Sequence, residues 1–363
     1  MKPYIPEDLP LKSIQWPLFI RLIGQANAAL ARYDGILHGI INPDILLSPL
    51  MTQEAVLSSR IEGTQATIEE VLEFEAAPEV ETSRYEDIQE IINYRKAMFI
   101  SIEELKKRPI SLNMLLNMHS VLLDSVRGHN KGRGRFRNIQ NWIGAPGTPM
   151  ENATYIPPEP QNLMDYLSNF EKYIHYDEED RLVQLAIIHA QFELIHPFID
   201  GNGRLGRILV PLFLFEKDLL GSPMFYISSY LEQHRAEYYH KLRTISESSD
   251  WSGWISFFLT AIIEQAKNNS EKALSILALC ERMKTEVARL THSQYSIQTL
   301  DCIFDRPIFK STDFSQRSKI PRASAMRIIN SLKDNNILVA LKPGKGRRAG
   351  IFMFKELIDI VEK

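Results

Sequence analysis

One short stretch constrains this chain more than any other. His196-Pro197-Phe198-Ile199-Asp200-Gly201-Asn202-Gly203-Arg204-Leu205-Gly206-Arg207 runs straight into the apolar segment Ile208 to Phe215. That segment reads as a buried helix, so the two glycines around Asn202 fall at its start. Successive backbone N–H groups there can form an anion-binding nest, and the helix dipole adds to their pull. Arg204 and Arg207 are spaced i, i+3 on the first turn and can point to one side, where guanidinium forks suit phosphate oxygens. Asp200, just before the nest, is a hard oxygen ligand suited to Mg²⁺ between phosphates. His196, at the mouth, can take a proton from an attacking hydroxyl, and Phe198 anchors the loop in the core. A base, a metal carboxylate, an anion hole and two cationic clamps are equipment for attack on a nucleotide phosphate. The chain has no GxxxxGK[ST], so the site is not a P-loop.

The rest of the chain frames that site. Its 363 residues leave room for two or three domains. A composition of 44% hydrophobic and 24% charged residues excludes a disordered or collagen-like chain. Two cysteines, Cys280 and Cys302, are too few for a disulfide framework and point to a cytoplasmic setting. The N-terminus lacks the apolar core of a secretory signal, and no apolar run nears the ~20 residues of a membrane span. No membrane contact is therefore expected.

Apolar spacing predicts helices over 16–30, within 48–74, and over 85–105, 111–126, 161–174 and 181–195, with Ser111 as an N-cap. Further helices are expected after Gly203, over 231–246 and over 251–267, followed by a polar Asn-Asn-Ser-Glu-Lys and a long amphipathic helix to about 289. Between 128 and 160 the chain turns rich in Gly, Pro, Asn and Arg. Two short β-like runs there predict a hairpin with a long tip.

The central string resembles the Fic-domain signature HxFx(D/E)GNGRxxR at every fixed position. The likeness extends over about residues 100–270. It implies a mainly α fold, a Fic helical core with a β-hairpin flap and an N-terminal helical region; residues 296–363 read separately as helix, short strand, helix, helix and hairpin, which resembles a winged helix-turn-helix. The Fic likeness also implies a protein adenylyltransferase that moves AMP from ATP, with Mg²⁺, to Ser, Thr or Tyr hydroxyls and releases pyrophosphate. Carried over, His196 is the general base and Asp200 the Mg²⁺ ligand. Gly201, Asn202 and Gly203 hold the α-phosphate, and the following Arg204, Leu205, Gly206 and Arg207 complete the nucleotide site. The flap residues Trp142, Ile143, Gly144, Tyr155 and Ile156 would hold a target backbone by strand addition. Tyr238 and Tyr239 resemble residues that line the adenine pocket, with Tyr230 and Gln233 on earlier turns; core packing is the alternative for all four. Relatives that use another nucleotide-linked donor leave a second transferase reading open.

Upstream, Ser58-Ser59-Arg60-Ile61-Glu62-Gly63 fits [ST]xxxE[GN]. Ser58 and Glu62 share a helix face, and Gly63 is a natural stop. The pattern resembles the inhibitory helix that family members carry, whose glutamate pairs with the second motif arginine, here Arg207. Residues 1–100 thus read as a helical region with that helix at about 50–63. Residues 101–270 are the Fic core, 271–295 a connecting helix, and 296–363 a winged helix-turn-helix.

The last segment holds 13 Lys+Arg against 7 Asp+Glu, whereas the rest of the chain is acidic. Arg322 and Arg327 on its third helix, and Lys342, Lys345, Arg347 and Arg348 on its wing, could neutralise DNA phosphates. A protein partner fits the module as well. The expected partners are a protein with an exposed hydroxyl side chain, this chain itself by self-modification or as a homodimer, and DNA through the tail. A DNA-binding regulator whose core senses nucleotide remains the alternative from another functional class.

Overall fold

The structure, a computed structural model, describes residues 2–78, 83–124, 131–144, 147–344 and 349–363. Helices α1 (Ile20–His38), α2 (Pro43–Leu46), α3 (Ser48–Ile61), α4 (Ile68–Ala76), α5 (Tyr85–Leu105) and α6 (Leu112–Leu122) precede a long irregular segment. After it come α7 (Leu163–Ile174), α8 (Arg181–Ile195), α9 (Asn202–Glu216), α10 (Ser228–Gln233), α11 (Arg235–Ser248) and α12 (Trp251–Thr291). The core centres on α8 and α9. Every residue of α8 from Leu182 to Ile195 is buried, as is every residue of α9 from Arg204 to Leu214. Around α8 pack α1, α7, α11 and α12, and around α9 pack α3, α5 and α6. The turn between the two central helices carries His196 to Gly201, so the site grows out of the best-buried part of the molecule.

α3 is buried from Thr52 through Ser59 without a break, polar residues included. Its Glu54 carboxylate accepts hydrogen bonds from the Ser228 N–H (3.0 Å), the Ser228 hydroxyl (2.6 Å) and the Tyr94 hydroxyl (3.3 Å). Gly63, at φ +105°, ends the helix, as expected of a residue without a Cβ. α4 then restarts with a capping box, Thr67 and Glu70 each bonding the other's backbone N–H.

Two expectations are corrected. The polar segment at 268–272 does not interrupt a helix: α12 runs 41 residues, about 60 Å. Its amides are satisfied sideways rather than by turning the chain. Gln265 accepts from the Tyr230 N–H (2.9 Å) and donates to Asn269 (2.9 Å), and Asn269 donates to the Tyr226 carbonyl (3.3 Å). The flap is also less regular than a hairpin. Among the described residues only Ile143 and Tyr155 pair, antiparallel, because the Pro- and Gly-rich flanks cannot extend the ladder. The helix expected over 231–246 is two, divided at His234, and Ser111 caps α6 as expected.

Residues 296–363 form α13 (Ser296–Asp305), β1 (Ile308–Lys310), α14 (Ser311–Ser318), α15 (Arg322–Asp334), β2 (Val339–Lys342), β3 (Ile351–Met353) and α16 (Lys355–Glu362). The antiparallel sheet has the order β1-β3-β2, with Met353 opposite both Ile308 and Val339. α16 was not anticipated; Leu357, Ile358 and Val361 bury its apolar face. This unit sits on the N-terminal helices: α13 and α16 touch α3, and β1 touches α4. Lys342, at the end of β2, pairs with Glu73 of α4. The wing residues Lys345, Arg347 and Arg348 lie outside the described residues. Among the described residues no helix is long and apolar enough to cross a membrane.

Candidate active site

α8 ends at His196, held at φ +49°, and α9 begins after Gly201, at φ +81°. Two left-handed residues therefore bracket the turn. Only the second is a glycine, so the first must be fixed by its neighbours. Arg137, buried, provides that hold. Its guanidinium donates to the carbonyls of His196 (2.9 Å), Pro158 (2.6 Å) and Ile195 (3.3 Å), tying the end of α8 to the base of the flap. Asn202 braces the turn from within, accepting from the Phe198 N–H and donating to the Phe198 carbonyl, both at 2.9 Å. His119 stacks on Phe198 at 3.9 Å and sits within 3.1 Å of the Asp200 carbonyl and 2.9 Å of the Gly134 N–H. Because Gly134 donates to Nδ1, the proton belongs on Nε2 and points to Asp200. Burial holds this imidazole down, to about 4, so it is neutral near pH 7.

The His196 ring has the opposite tautomer. Nδ1 lies 3.1 Å from the Glu193 carbonyl, an acceptor, so Nδ1 carries the proton and Nε2 keeps its lone pair. Burial lowers its pKa to about 4. An unprotonated Nε2 at neutral pH is what a general base requires.

His196 opens onto a cleft of about 450 Å³. Glu62, Gly203, Arg207 and Glu193 line one part of it, Tyr238, Tyr239 and Leu242 another, and Ile143, Gly144 and Tyr155 of the flap a third. Arg207, buried, donates from Nε to the Ser58 hydroxyl (2.8 Å) and from Nη2 to the Ser58 carbonyl (2.9 Å) and to Glu62 Oε1 (2.6 Å). Burial pushes the Glu62 carboxyl up, but the charge and hydrogen bond of Arg207 outweigh it and hold the group below its usual value. The carboxylate lies so close to the first turn of α9 that a Cβ on Gly203 would collide with it. The sequence pairing of Ser58, Glu62 and Arg207 is thus realised in three dimensions.

Arg204 is placed differently. It is buried and paired with Glu90 (3.0 Å) and Asp200 (3.4 Å), beside the cleft rather than in its wall. Asp200 is half-exposed; one oxygen accepts from the Gly201 N–H (2.6 Å), and the other lies 3.9 Å from Lys131. Among the described residues no group of three or more metal-binding side chains occurs. A lone, half-solvated carboxylate still fits Mg²⁺, which takes its other ligands from water and phosphates.

Some expected site residues fall elsewhere. Leu205 is core, and its N–H already bonds the Gly201 carbonyl, so it has none for a phosphate. Gly206 faces Glu193, where a Cβ would not fit, and its carbonyl lies 3.1 Å from His189 Nδ1. Tyr230 and Gln233 line a separate depression with Glu264 and Asn268, and Tyr230 stacks on His234. Ile156 is buried, and Trp142 lies on the outside of the flap, donating to the Thr148 carbonyl (2.8 Å). Tyr238 and Tyr239 do reach the cleft. Tyr238 is buried with its hydroxyl 3.0 Å from His189 Nε2.

Glu193 was not singled out in the sequence. It is buried, its Oε1 has no hydrogen-bond partner, and burial raises its pKa to about 8 against the opposing charge of Arg207. The folded chain therefore holds a proton between about pH 4.5 and 8 that the unfolded chain releases, so this group's contribution to stability declines as pH rises through that window. Glu193→Gln removes the dependence. The variant is expected to melt above the wild type at pH 8, with the gap closing toward pH 5; a gap unchanged over that range would contradict the assignment.

This helical core, with a glycine-flanked turn between two buried helices and a flap beside it, is the Fic fold. Residues 20–103 match the model described as Fic/DOC family N-terminal, and residues 109–214 match Fic/DOC family. Together these segments span just over half of the sequence, and the chain belongs to the Fic/DOC family. A protein adenylyltransferase Fic from Drosophila grimshawi is 30% identical over 197 residues, covering 52% of this chain and 36% of that protein. The Drosophila melanogaster protein adenylyltransferase Fic is 29% identical over the same length. The chain thus spans about a third of the length of these curated relatives. Among solved structures, a Fic family protein from Desulfovibrio desulfuricans G20 superposes over 97% of this chain and 98% of its own, with TM-score 0.61 and 19% identity. A Fic domain containing signaling protein from Bacteroides thetaiotaomicron covers 69% of this chain and 96% of its own, with TM-score 0.54 and 16% identity. The family match supports a nucleotidyltransferase-type activity.

Proposed function

We propose that this chain is a protein adenylyltransferase, restrained by Glu62, that transfers AMP from ATP to Ser, Thr or Tyr hydroxyls of target proteins and of itself. The observation that carries the reading is the Glu62–Arg207 ion pair lying across Gly203, at the start of α9 beside the His196 imidazole. Nucleotide phosphates need the same donors, so the pair and a productive ATP exclude each other. When Arg207 is free, the N–H groups at the start of α9 and the guanidinium hold the polyphosphate. Asp200 would hold Mg²⁺, which supplies charge neutralisation between phosphates. A target segment pairing along Ile143 would bring its hydroxyl toward Nε2 of His196. That atom takes the hydroxyl proton as the oxygen attacks the α-phosphorus, and pyrophosphate leaves with its electron pair. Tyr238 and Tyr239 wall the base end of the cleft. Mass analysis of hydroxyl-bearing peptides after incubation of the protein with ATP tests the reading: an AMP adduct is expected, and a phosphate adduct would make the enzyme a kinase instead.

For the C-terminal unit we propose contact with DNA phosphates. Arg322 and Arg327 both lie on the exposed face of α15. Binding in a gel-shift titration is expected to weaken steeply as salt rises, because each neutralised phosphate releases counterions, and Arg322→Gln with Arg327→Gln should flatten that slope. No shift at low salt would contradict DNA contact.

A further inference from the structure

One buried group in the cleft has no part in the steps above. Glu193 lies one helical turn before His196 on α8 and is only 9% exposed, yet it lines the cleft and its Oε1 has no hydrogen-bond partner. The neighbouring buried carboxylate, Glu54, receives three hydrogen bonds. A buried polar group left unpaired costs stability, so keeping one in the wall of a cleft, its Oε1 turned toward Gly206, leaves a place for a partner that reaches the carboxyl from the cleft. Gly206 shapes the space for it, since any side chain there would meet the Glu193 carboxyl.

Its neighbours say which part of a ligand it meets. Arg207, with Glu62, marks the phosphate end of the cleft that Glu193 also lines. Tyr238 and Tyr239 mark the aromatic end of the same cleft. What joins the phosphates of a nucleotide to its base is the sugar. We propose that Glu193 is a specificity-determining residue that hydrogen-bonds the vicinal hydroxyls of the ribose and so selects ribonucleotides over deoxyribonucleotides. The proposal rests on the nucleotide reading of the cleft. With its proton in place, the carboxyl can donate to one hydroxyl and accept from the other. A site built this way rejects the analogue that lacks the hydroxyl, because its own buried atom is then left unpaired.

The test is equilibrium binding of ATP, 2′-deoxyATP and 3′-deoxyATP, each with Mg²⁺, to the full chain. A Glu62→Gly, His196→Ala background keeps the cleft open and the ligand intact. The parent is expected to bind ATP about tenfold more tightly than at least one deoxynucleotide. Glu193→Ala should erase that preference by weakening ATP alone. Glu193→Gln should keep most of it, since an amide also both donates and accepts. An unchanged ATP-to-deoxynucleotide ratio in Glu193→Ala would overturn the proposal. If ATP does not bind but GTP, CTP or UTP does, with a ribose preference that Glu193→Ala erases, the adenylyl donor is wrong and the role of Glu193 stands. If no ribonucleotide binds, both fall.

Discussion

Glu62→Gly is expected to raise AMP transfer, self-modification included, by about 10- to 100-fold. The size follows from the bond removed. A hydrogen bond to a charged group contributes about 1.5–3 kcal/mol, and the Glu62–Arg207 contact at 2.6 Å is one. On the proposed reading, release has one place to occur. α3 is buried along its length and anchored through Glu54, so sliding the whole helix out would expose a large part of the core. The residue just past its end is different: the Glu62 side chain is 34% exposed, next to a glycine at positive φ. Relief is therefore a local movement of Glu62 about Gly63, and the glycine substitution mimics it without disturbing α3. The double variant Glu62→Gly, Arg207→Ala should stay inactive, because the freed donors are then missing. An ordinary surface glutamate would give a change below about twofold on replacement. Equal initial rates for the wild type and Glu62→Gly, followed by incorporation of label from the α-phosphate, would refute the inhibitory contact.

His196→Ala is expected to lower transfer by about 10²- to 10⁴-fold, the usual contribution of a general base. ATP binding should be nearly unchanged, since the proposed phosphate donors lie on α9 and, among the described residues, the ring bonds only the Glu193 carbonyl. The pH dependence separates this role from a structural one. With a pKa of about 4, His196 is deprotonated throughout the neutral range, so the rate should show no acidic limb assigned to it between pH 6 and 8. Below that range the rate should fall as the ring gains its proton. Near-normal transfer by the alanine variant would end the general-base assignment.

The central site was legible because its chemistry is local. Twelve consecutive residues carry the proposed base, the proposed anion nest and both arginines, and their glycines mark where the turn between α8 and α9 falls. The contact of Glu62 with Arg207 was implied by the resemblance to an inhibitory helix; the shared helix face of Ser58 and Glu62 does not name its partner, and that Ser58 also meets Arg207 appears only in the fold. Residues that act on the string from afar left no pattern. Arg137 holds the left-handed His196, and His119 stacks under Phe198, but each stands in an unremarkable local sequence and acquires its role only through the fold. Glu193 is hidden by its setting: within the apolar run of α8, a lone glutamate gives no sign of which way it faces. Arg204 shows the reverse, a residue whose motif position is plain but whose buried partner, Glu90, lies 114 positions away. The continuity of α12 escaped because polar residues in a window signal a loop unless their distant partners are known.

The most direct measurement follows the two ends of ATP separately. Glu62→Gly is incubated with a cell lysate and ATP labelled on either the α- or the γ-phosphate, and protein-bound label is counted beside the Glu62→Gly, His196→Ala control. Label from the α-phosphate should accumulate on protein, label from the γ-phosphate should leave with pyrophosphate, and the control should show neither. Protein-bound γ label, or no label from either position, would contradict adenylyl transfer as the function of this chain.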